Sequence, residues 1–148
     1  MISADTNLFV YALDLRERPK QEIALAVIGA LGRAPAIIGL QVVGELQHAL
    51  RRRLRLPLAT SVGAAHDVFC RFATFAYDSD AVAGALREAG AGRLGYWDAL
   101  LLAAAEAVGV KIMLSEDMAD GLVFGDLEVV NPFAADGPSH RVRELLRL

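Results

Sequence analysis

The chain opens on a short apolar segment, Ile2 to Asp5, that stops on a carboxylate. Such segments are typical of the middle of a parallel sheet whose two faces are both covered by helices. The carboxylate then lies at the carboxyl edge of the sheet, where open α/β sheets place ligands and chemistry. Asp5 is therefore the reference point for a candidate site, and its partners must come from other segments that end at the same edge.

Apolar runs and stripes of helical period alternate along the rest of the chain. Strands are predicted at about 36–40, 75–77, 111–115 and 127–130. Helices are predicted at about 8–13, 21–31, 41–54, 60–72, 81–89 and 99–108, with a charged bend at 14–20. Strands that alternate with helices over the whole length imply a parallel sheet with helices on both faces, so an α/β fold is expected.

Composition limits the classes of protein to which the chain can belong. Its 148 residues are the length of one ordinary domain, and the net charge of -3 provides no general attraction for nucleic acid. A polyanion would have to be held by a local basic patch or by bound metal ions. The single cysteine, Cys70, and the absence of any apolar run near the ~20 residues that span a bilayer predict a cytoplasmic protein with no membrane partner.

Three further acidic residues can reach Asp5. Asp117 follows the strand predicted at 111–115, Glu45 lies about one turn into the helix after the second strand, and Asp98 opens the helix before 111–115. If the first strand and 111–115 are neighbours, their carboxylates lie at one edge. The first turns of the helices that carry Glu45 and Asp98 then lie above the same edge of the sheet.

Four converging carboxylates repel one another, and a bound divalent cation is a physical reason for them to converge. Hard oxygen ligands without cysteine or histidine favour Mg²⁺ or Mn²⁺. Such an ion activates water and stabilises the leaving oxygen in phosphodiester cleavage. The pattern therefore predicts metal-dependent hydrolysis without a nucleophilic side chain.

Each acid also has a simpler explanation when it is taken alone. Asp5 can begin a turn, Asp98 and Asp117 can be first-turn acids of helices, and Glu45 can be solvated. The joint pattern favours the site, because most of these residues adjoin apolar segments where an isolated charge is costly. Asp120 can join the acidic group or be a surface loop acid.

A basic run follows Glu45 on the same predicted helix. Its members are Arg51, Arg52, Arg53 and Arg55. Arg51, Arg52 and Arg55 are candidates for binding RNA phosphates beside the metal, and the alternative is a solvated helix end where cations favour the helix dipole.

Other residues with possible chemistry are given structural interpretations. Trp97 precedes Asp98, and core or dimer packing is preferred for it over base stacking. The histidines at 48, 66 and 140 lack ligand spacing and are assigned no chemistry.

Five segments, taken together and in this order, resemble the PIN domain and, more narrowly, the VapC-type toxins of bacterial toxin–antitoxin pairs. The resemblance covers Met1 to Phe133. The segments are Ala4-Asp5-Thr6-Asn7-Leu8, Gln41-Val42-Val43-Gly44-Glu45-Leu46, Tyr96-Trp97-Asp98-Ala99-Leu100, Leu114-Ser115-Glu116-Asp117-Met118 and Asn131-Pro132-Phe133.

The resemblance implies a PIN-like three-layer α/β/α sandwich with a central parallel five-stranded sheet. It implies a ribonuclease that uses Mg²⁺ or Mn²⁺, water as the nucleophile, and the acidic residues Asp5, Glu45, Asp98 and Asp117 as catalytic metal ligands. It further implies a homodimer inhibited by a small VapB-type antitoxin.

The resemblance also bears on supporting residues and on the domain bounds. Asn7 and Ser115 are expected to support the acidic side chains. A PIN domain is predicted over residues 1–135, followed by a tail or short basic helix over 136–148.

Three other functions remain open. Phosphatases of the HAD type also place an aspartate after the first strand, but they use a second acid two residues later, where this chain has Asn7. A response-regulator receiver domain needs paired acids at the first strand and a later lysine. A PIN-like binding module is the non-enzymatic alternative, with the acidic group contributing only to metal-linked stability.

Overall fold

The predicted alternation of strands and helices is present in the computed structural model, which describes all residues 1–148. The elements in chain order are β1 (Ile2–Ala4), α1 (Thr6–Tyr11), α2 (Arg18–Leu31), β2 (Ile37–Gly39), α3 (Leu40–Leu54), α4 (Leu58–Arg71), β3 (Ala73–Phe75), α5 (Ser79–Gly90), α6 (Tyr96–Ala107), β4 (Ile112–Leu114), β5 (Val123–Phe124), β6 (Leu127–Val130), β7 (Phe133–Ala134), β8 (Gly137–Pro138) and α7 (His140–Leu146).

Parallel strands form the centre of the molecule in the order β3-β2-β1-β4-β6. The junction between β2 and β1 is weak: it consists of one bridge between Ile2 and Ala36 and a 3.1 Å hydrogen bond from the Ile2 N–H to the Pro35 carbonyl. The short strand β5 pairs antiparallel with β6. The expected five parallel strands are thus present, and the added antiparallel strand makes the sheet mixed.

Strands β1 and β4 are neighbours, as the convergence of the carboxylates requires. Ala4 is in register with Leu114, and the Asp5 N–H donates to the Leu114 carbonyl at 2.9 Å. Asp5 and Ser115 therefore leave the sheet side by side at its carboxyl edge.

The helices cover both faces of the sheet in a three-layer α/β/α arrangement. All residues of β1 and β4 are buried, as expected for strands covered on both sides. Helix α6 buries most of its length, including Leu100, Leu101 and Leu102, which confirms the prediction of a buried helix at 99–108. Helix α5 packs against α6, and α3 packs against α4.

Several predicted boundaries were wrong by two or three residues, and two of these differences have a clear physical reason. Helix α2 begins at Arg18, inside the predicted bend, because Pro19 occupies the first turn, where its missing N–H costs no hydrogen bond. Strand β3 is Ala73–Phe75 rather than 75–77, because Asp78 already caps α5 by accepting from the Ala81 N–H at 2.9 Å.

The last residues fold back onto α2. Helix α7 starts at the capping residue Ser139, buries Val142 and Leu146, and contacts α2. A 3.2 Å ion pair joins Arg141 to Glu128 of β6. The helical alternative for the tail is therefore present, and the division at residue 135, which lies in the turn between β7 and β8, stays a prediction.

No helix of the structure has both the length and the hydrophobicity that crossing a lipid bilayer requires.

Candidate active site

Four carboxylates line one cleft of about 730 Å³ at the carboxyl edge of the sheet, and we call it the acidic cleft. Asp5 follows β1, Glu45 lies in α3, Asp98 lies in the first turn of α6, and Asp117 lies in the loop after β4. The structure therefore brings together all four acids that the sequence singled out, although they come from distant parts of the chain.

Asp5 is the most buried of the four acids, with only 8% of its surface exposed. Its Oδ1 accepts from the Thr6 N–H at 2.6 Å, which caps α1, and its Oδ2 accepts from the Ser115 hydroxyl at 3.0 Å. Burial raises the pKa of Asp5 to about 6, and repulsion from Asp98 and Glu45 adds to the effect against the two hydrogen bonds. Asp5 is thus both a helix cap and a buried carboxylate whose ionised form is disfavoured.

Glu45 is held by two donors that sequence reasoning missed. Its Oε2 accepts from the Thr6 hydroxyl at 2.9 Å, and its Oε1 accepts from the Gln41 amide at 2.9 Å. Gln41 precedes Glu45 by four residues, a spacing at which side chains on a helix meet, so this contact could have been foreseen. The contact with Thr6 joins α1 to α3 and has no local signal.

Asp98 and Asp117 complete the acidic cleft from its other side. Asp98 is half-buried, and burial raises its pKa, with further contributions from the charges of Asp117 and Glu45. Asp117 is exposed. The raised pKa values of Asp5 and Asp98 thus share one main cause, burial of a carboxylate, and repulsion between the acids of the cleft adds to it.

No cationic side chain forms an ion pair with this group, although Arg52 and Arg53 line the same cleft. None of the four acids takes part in an ion pair. As the side chains stand, no three acidic, histidine or cysteine residues converge closely enough to hold a metal ion. The donor chemistry nevertheless fits Mg²⁺ or Mn²⁺, because carboxylate oxygens are hard ligands and the only cysteine lies exposed on α4.

The two residues expected to support the acids have different contacts. Ser115 donates to Asp5, as described above. Asn7 is buried in the wall of the cleft, but its Oδ1 accepts from Arg53 at 3.1 Å, and its Nδ2 has no partner. Asn7 therefore ties α1 to the basic end of α3 and does not contact a carboxylate.

A basic cavity of about 440 Å³ adjoins the acidic cleft. It shares His48 and Arg52 with the cleft, and its other lining residues are Arg51, Arg55 and Leu56. The three arginines proposed for RNA therefore lie beside the carboxylates, and Arg53 reaches the cleft as well. His48, to which no chemistry was assigned from the sequence, lines both the acidic cleft and the basic cavity.

Two other interpretations are resolved by the structure. Asp120 does not line the acidic cleft; it is exposed and accepts from the Asn131 N–H at 2.7 Å, so it is a loop acid. Trp97 is 59% exposed and stacks edge-on against Tyr96, with ring centroids 5.1 Å apart. The interpretation of Trp97 as a core residue was wrong, because its position in the first turn of α6 faces solvent.

Comparison with known proteins identifies the fold family. A profile of the PIN domain matches residues 2–119, which is most of the chain. A search of curated protein sequences found no match.

Three solved structures share the fold at low sequence identity. VapC20 of Mycobacterium tuberculosis, described as a toxin that cleaves the sarcin-ricin loop, is 16% identical with a TM-score of 0.60, over 79% of this chain and 90% of that one. A chain of VapBC2 from Rickettsia felis, bound to a promoter DNA fragment, is 16% identical with a TM-score of 0.63, over 87% and 97%. A chain of DNA-bound VapBC from Salmonella typhimurium is 14% identical with a TM-score of 0.54, over 86% and 95%.

The profile match, the α/β/α architecture and the acidic cleft at the sheet edge agree with one another, and the chain belongs to the PIN domain family.

Proposed function

We propose that the protein is an endoribonuclease that depends on Mg²⁺ or Mn²⁺ and cleaves RNA phosphodiester bonds with water as the nucleophile. The observation that carries the proposal is the acidic cleft itself, which four carboxylates line without any ion pair. Placing four negative charges in one cleft destabilises the folded protein unless a bound cation offsets their repulsion. Membership in the PIN domain family supports the same conclusion.

In this proposal Asp5, Glu45, Asp98 and Asp117 hold the divalent cation. When bound, the ion lowers the pKa of a water molecule and offsets the charge that develops on the phosphate oxygens. Thr6 and Ser115 fix the orientation of Asp5, and Thr6 and Gln41 fix that of Glu45. These donors keep two carboxylates in place before a cation arrives, which reduces the reorganisation needed on binding.

The basic cavity supplies a local attraction for RNA phosphates, which the net charge of the chain does not provide. With a net charge of -3, the protein has no general attraction for RNA. Arg52 lies on both the cleft and the cavity, so it can hold a phosphate next to the one at the carboxylates. The adjoining Arg51 and Arg55 extend the same positive surface.

We further propose that the protein is the toxin of a VapBC-type pair, acting in the cytoplasm as a homodimer and inhibited by a VapB-type antitoxin. The three structures of similar fold support this proposal, since one is described as a toxin that cleaves the sarcin-ricin loop and two as DNA-bound VapBC. Induced expression in bacteria should then arrest growth, and co-expression of a small reading frame next to the gene should relieve the arrest. Growth that is unaffected by induction of the active protein would remove the toxin role and leave the nuclease open.

The nuclease is tested with purified protein and fragments of transfer and ribosomal RNA. Cleavage should require Mg²⁺ or Mn²⁺ and should vanish in Asp98→Asn, whose fold is checked by circular dichroism. The matched control is Asp120→Asn, because Asp120 lies in the neighbouring acidic loop but outside the cleft, and asparagine keeps the oxygen that accepts from Asn131. Equal loss of cleavage in both variants, or full activity in Asp98→Asn, would contradict the proposal and favour a binding module.

A further inference from the structure

Trp97 presents an exposed indole at the edge of the acidic cleft. It directly precedes Asp98 in α6 and is 59% exposed, although its indole is not part of the cleft wall. Tyr96 packs edge-on against it at an interplanar angle of 73°, which leaves ring surface open to solvent. More than half of this large aromatic side chain is therefore accessible to a partner.

Gln41 connects Trp97 directly to the carboxylates. Its Nε2 donates both to the Trp97 carbonyl at 3.1 Å and to Glu45 Oε1 at 2.9 Å. The backbone of Trp97 and the carboxylate of Glu45 are therefore held by one amide group. The segment of α6 that carries the indole is therefore attached to the site and is not a loose surface segment.

Helix α3 places the aromatic and basic features on opposite sides of Glu45 along the helix axis. Gln41, Glu45, His48 and Arg52 are spaced by four, three and four residues, so they lie along one face of the helix. Trp97 is held at the Gln41 end, and the basic cavity is at the Arg52 end. At 1.5 Å per residue, Arg52 is about 10 Å beyond Glu45 along the helix axis.

We propose that Trp97 is a stacking platform for a base of the RNA substrate, on the side of the scissile phosphate opposite to the arginines; the inference rests on the proposed ribonuclease function. An exposed indole stacks on any base, since every base has a π-face, and arginines hold phosphates. An RNA strand lying along α3 is then held by Trp97 through a base on one side and by the arginines through phosphates on the other. That arrangement fixes which phosphate reaches the carboxylates.

A nucleic acid suits this surface better than a protein does. Apart from Tyr96, the groups that hold or adjoin Trp97 are polar, namely Gln41, Glu45 and Asp98, whereas the core of a protein interface is depleted of charge. The indole is also continuous with a cleft proposed to hold RNA already. A second copy of this chain is the alternative occupant, and the experiment below separates the two.

Trp97 is the only tryptophan of the chain, so intrinsic fluorescence reports on it alone. Protein with a chelator is titrated with a short single-stranded 2′-O-methyl oligonucleotide, which is bound but not cut. Saturable quenching of Trp97 emission is expected. An abasic oligonucleotide of the same length should bind more weakly and should not quench, because it offers phosphates without bases.

Variants measure the contribution to affinity through the anisotropy of a labelled oligonucleotide. Trp97→Leu should weaken binding by at least about five-fold, the lower end of the range for loss of one stacked base, and Trp97→Phe should weaken it less. Phe69→Leu, which alters an exposed aromatic of α4 that lines neither cavity, should leave affinity unchanged.

The outcomes separate this inference from the proposed function. Equal affinity of Trp97→Leu and the natural protein, or equal quenching by the abasic oligonucleotide, would overturn the stacking role while leaving the nuclease intact. Emission that shifts with protein concentration in the absence of RNA would place Trp97 between two copies and would also overturn it. Failure of every oligonucleotide to bind, together with absence of metal-dependent cleavage, would remove the proposed function and this inference together.

Discussion

The hydroxyl of Thr6 donates a 2.9 Å hydrogen bond to Oε2 of Glu45, across 39 positions of sequence. The backbone N–H of Thr6 donates to Asp5 at 2.6 Å. A single buried threonine at the start of α1 therefore positions two of the four carboxylates. The distance between Asp5 and Glu45 is set by this residue and not by the sheet alone.

Removal of the Thr6 hydroxyl should weaken the site without unfolding it. Thr6→Val keeps the shape of the side chain and the backbone N–H to Asp5, but leaves Glu45 with one donor fewer. Because outer residues that orient metal ligands typically contribute 10- to 100-fold, we expect about that loss in cleavage rate or in Mg²⁺ affinity. The dependence of cleavage on Mg²⁺ concentration measures it.

Thr6→Ser is the matched control, since it keeps the hydroxyl and removes only a methyl group. It should retain most of the activity. If Thr6→Val cleaves RNA as well as the natural protein does, the hydrogen bond to Glu45 has no part in positioning it.

The raised pKa of Asp5 predicts how stability depends on pH in the absence of metal. Its folded value of about 6 exceeds the ordinary 3.8, so the folded state binds the proton more tightly. This contribution amounts to about 3 kcal/mol; it is fully present below about pH 3.8 and is lost as pH rises through about 6. Denaturant unfolding of the metal-free protein across this range measures it.

Asp5→Asn isolates the effect from the titration of other groups. Asparagine keeps an oxygen for the Thr6 N–H and offers an amide to the Ser115 hydroxyl, so its fold should be intact. Near pH 7 the variant should be more stable than the natural protein without metal, and the difference should disappear toward pH 4. A difference between the two proteins that is constant with pH would show that Asp5 does not titrate as described.

Much of the site could be predicted because three of its four acids lie at or just beyond the end of an element with a clear sequence pattern. Asp5 and Asp117 follow apolar strands, and Asp98 opens an apolar helix, so a parallel sheet brings them to one edge. The neighbouring positions of β1 and β4 had to be assumed, since pairing between strands over 100 residues apart leaves no local mark.

The features that were missed depend on contacts between elements. Two hydrogen bonds join α1 to α3, one between Thr6 and Glu45 and the other between Asn7 and Arg53. Both follow from how these helices pack. The exposure of Trp97 was missed because an apolar residue beside an apolar helix is usually buried, whereas the first turn of α6 projects beyond the core.

The loop that carries Asp117 is held by an ion pair with a lysine from another element. Removing this ion pair should reduce the cleavage rate while changing the free energy of unfolding little. Lys20 of α2 pairs with Glu116 and also donates to the Tyr11 hydroxyl at 3.1 Å. Both charged side chains are partly exposed, so Lys20→Met should cost at most about 1 kcal/mol of stability. Cleavage should fall by up to about tenfold, because small displacements of a catalytic group are costly.

Two variants show whether the pair acts through the loop. A double-mutant cycle with Glu116→Gln should be non-additive in cleavage rate. Lys111→Met, which breaks a similar 3.0 Å ion pair with Asp126 away from the cleft, should leave cleavage unchanged. Additive losses in the cycle would show that Lys20 and Glu116 act separately.

The position of Arg52 on both the acidic cleft and the basic cavity predicts a specific salt dependence of RNA binding. Each phosphate held on a single strand contributes about 0.7 to the slope of log affinity against log salt concentration. Arg52→Gln should therefore reduce that slope by about 0.7 and weaken binding most at low salt, while stability is unchanged because the side chain is exposed.

Arg87→Gln, which alters an exposed arginine of α5 outside both cavities, is the control and should leave the slope as it is. Anisotropy titrations in chelator at several salt concentrations give both slopes. Equal slopes for Arg52→Gln and Arg87→Gln would mean that the arginines of α3 are only a solvated helix end, the alternative that the sequence left open.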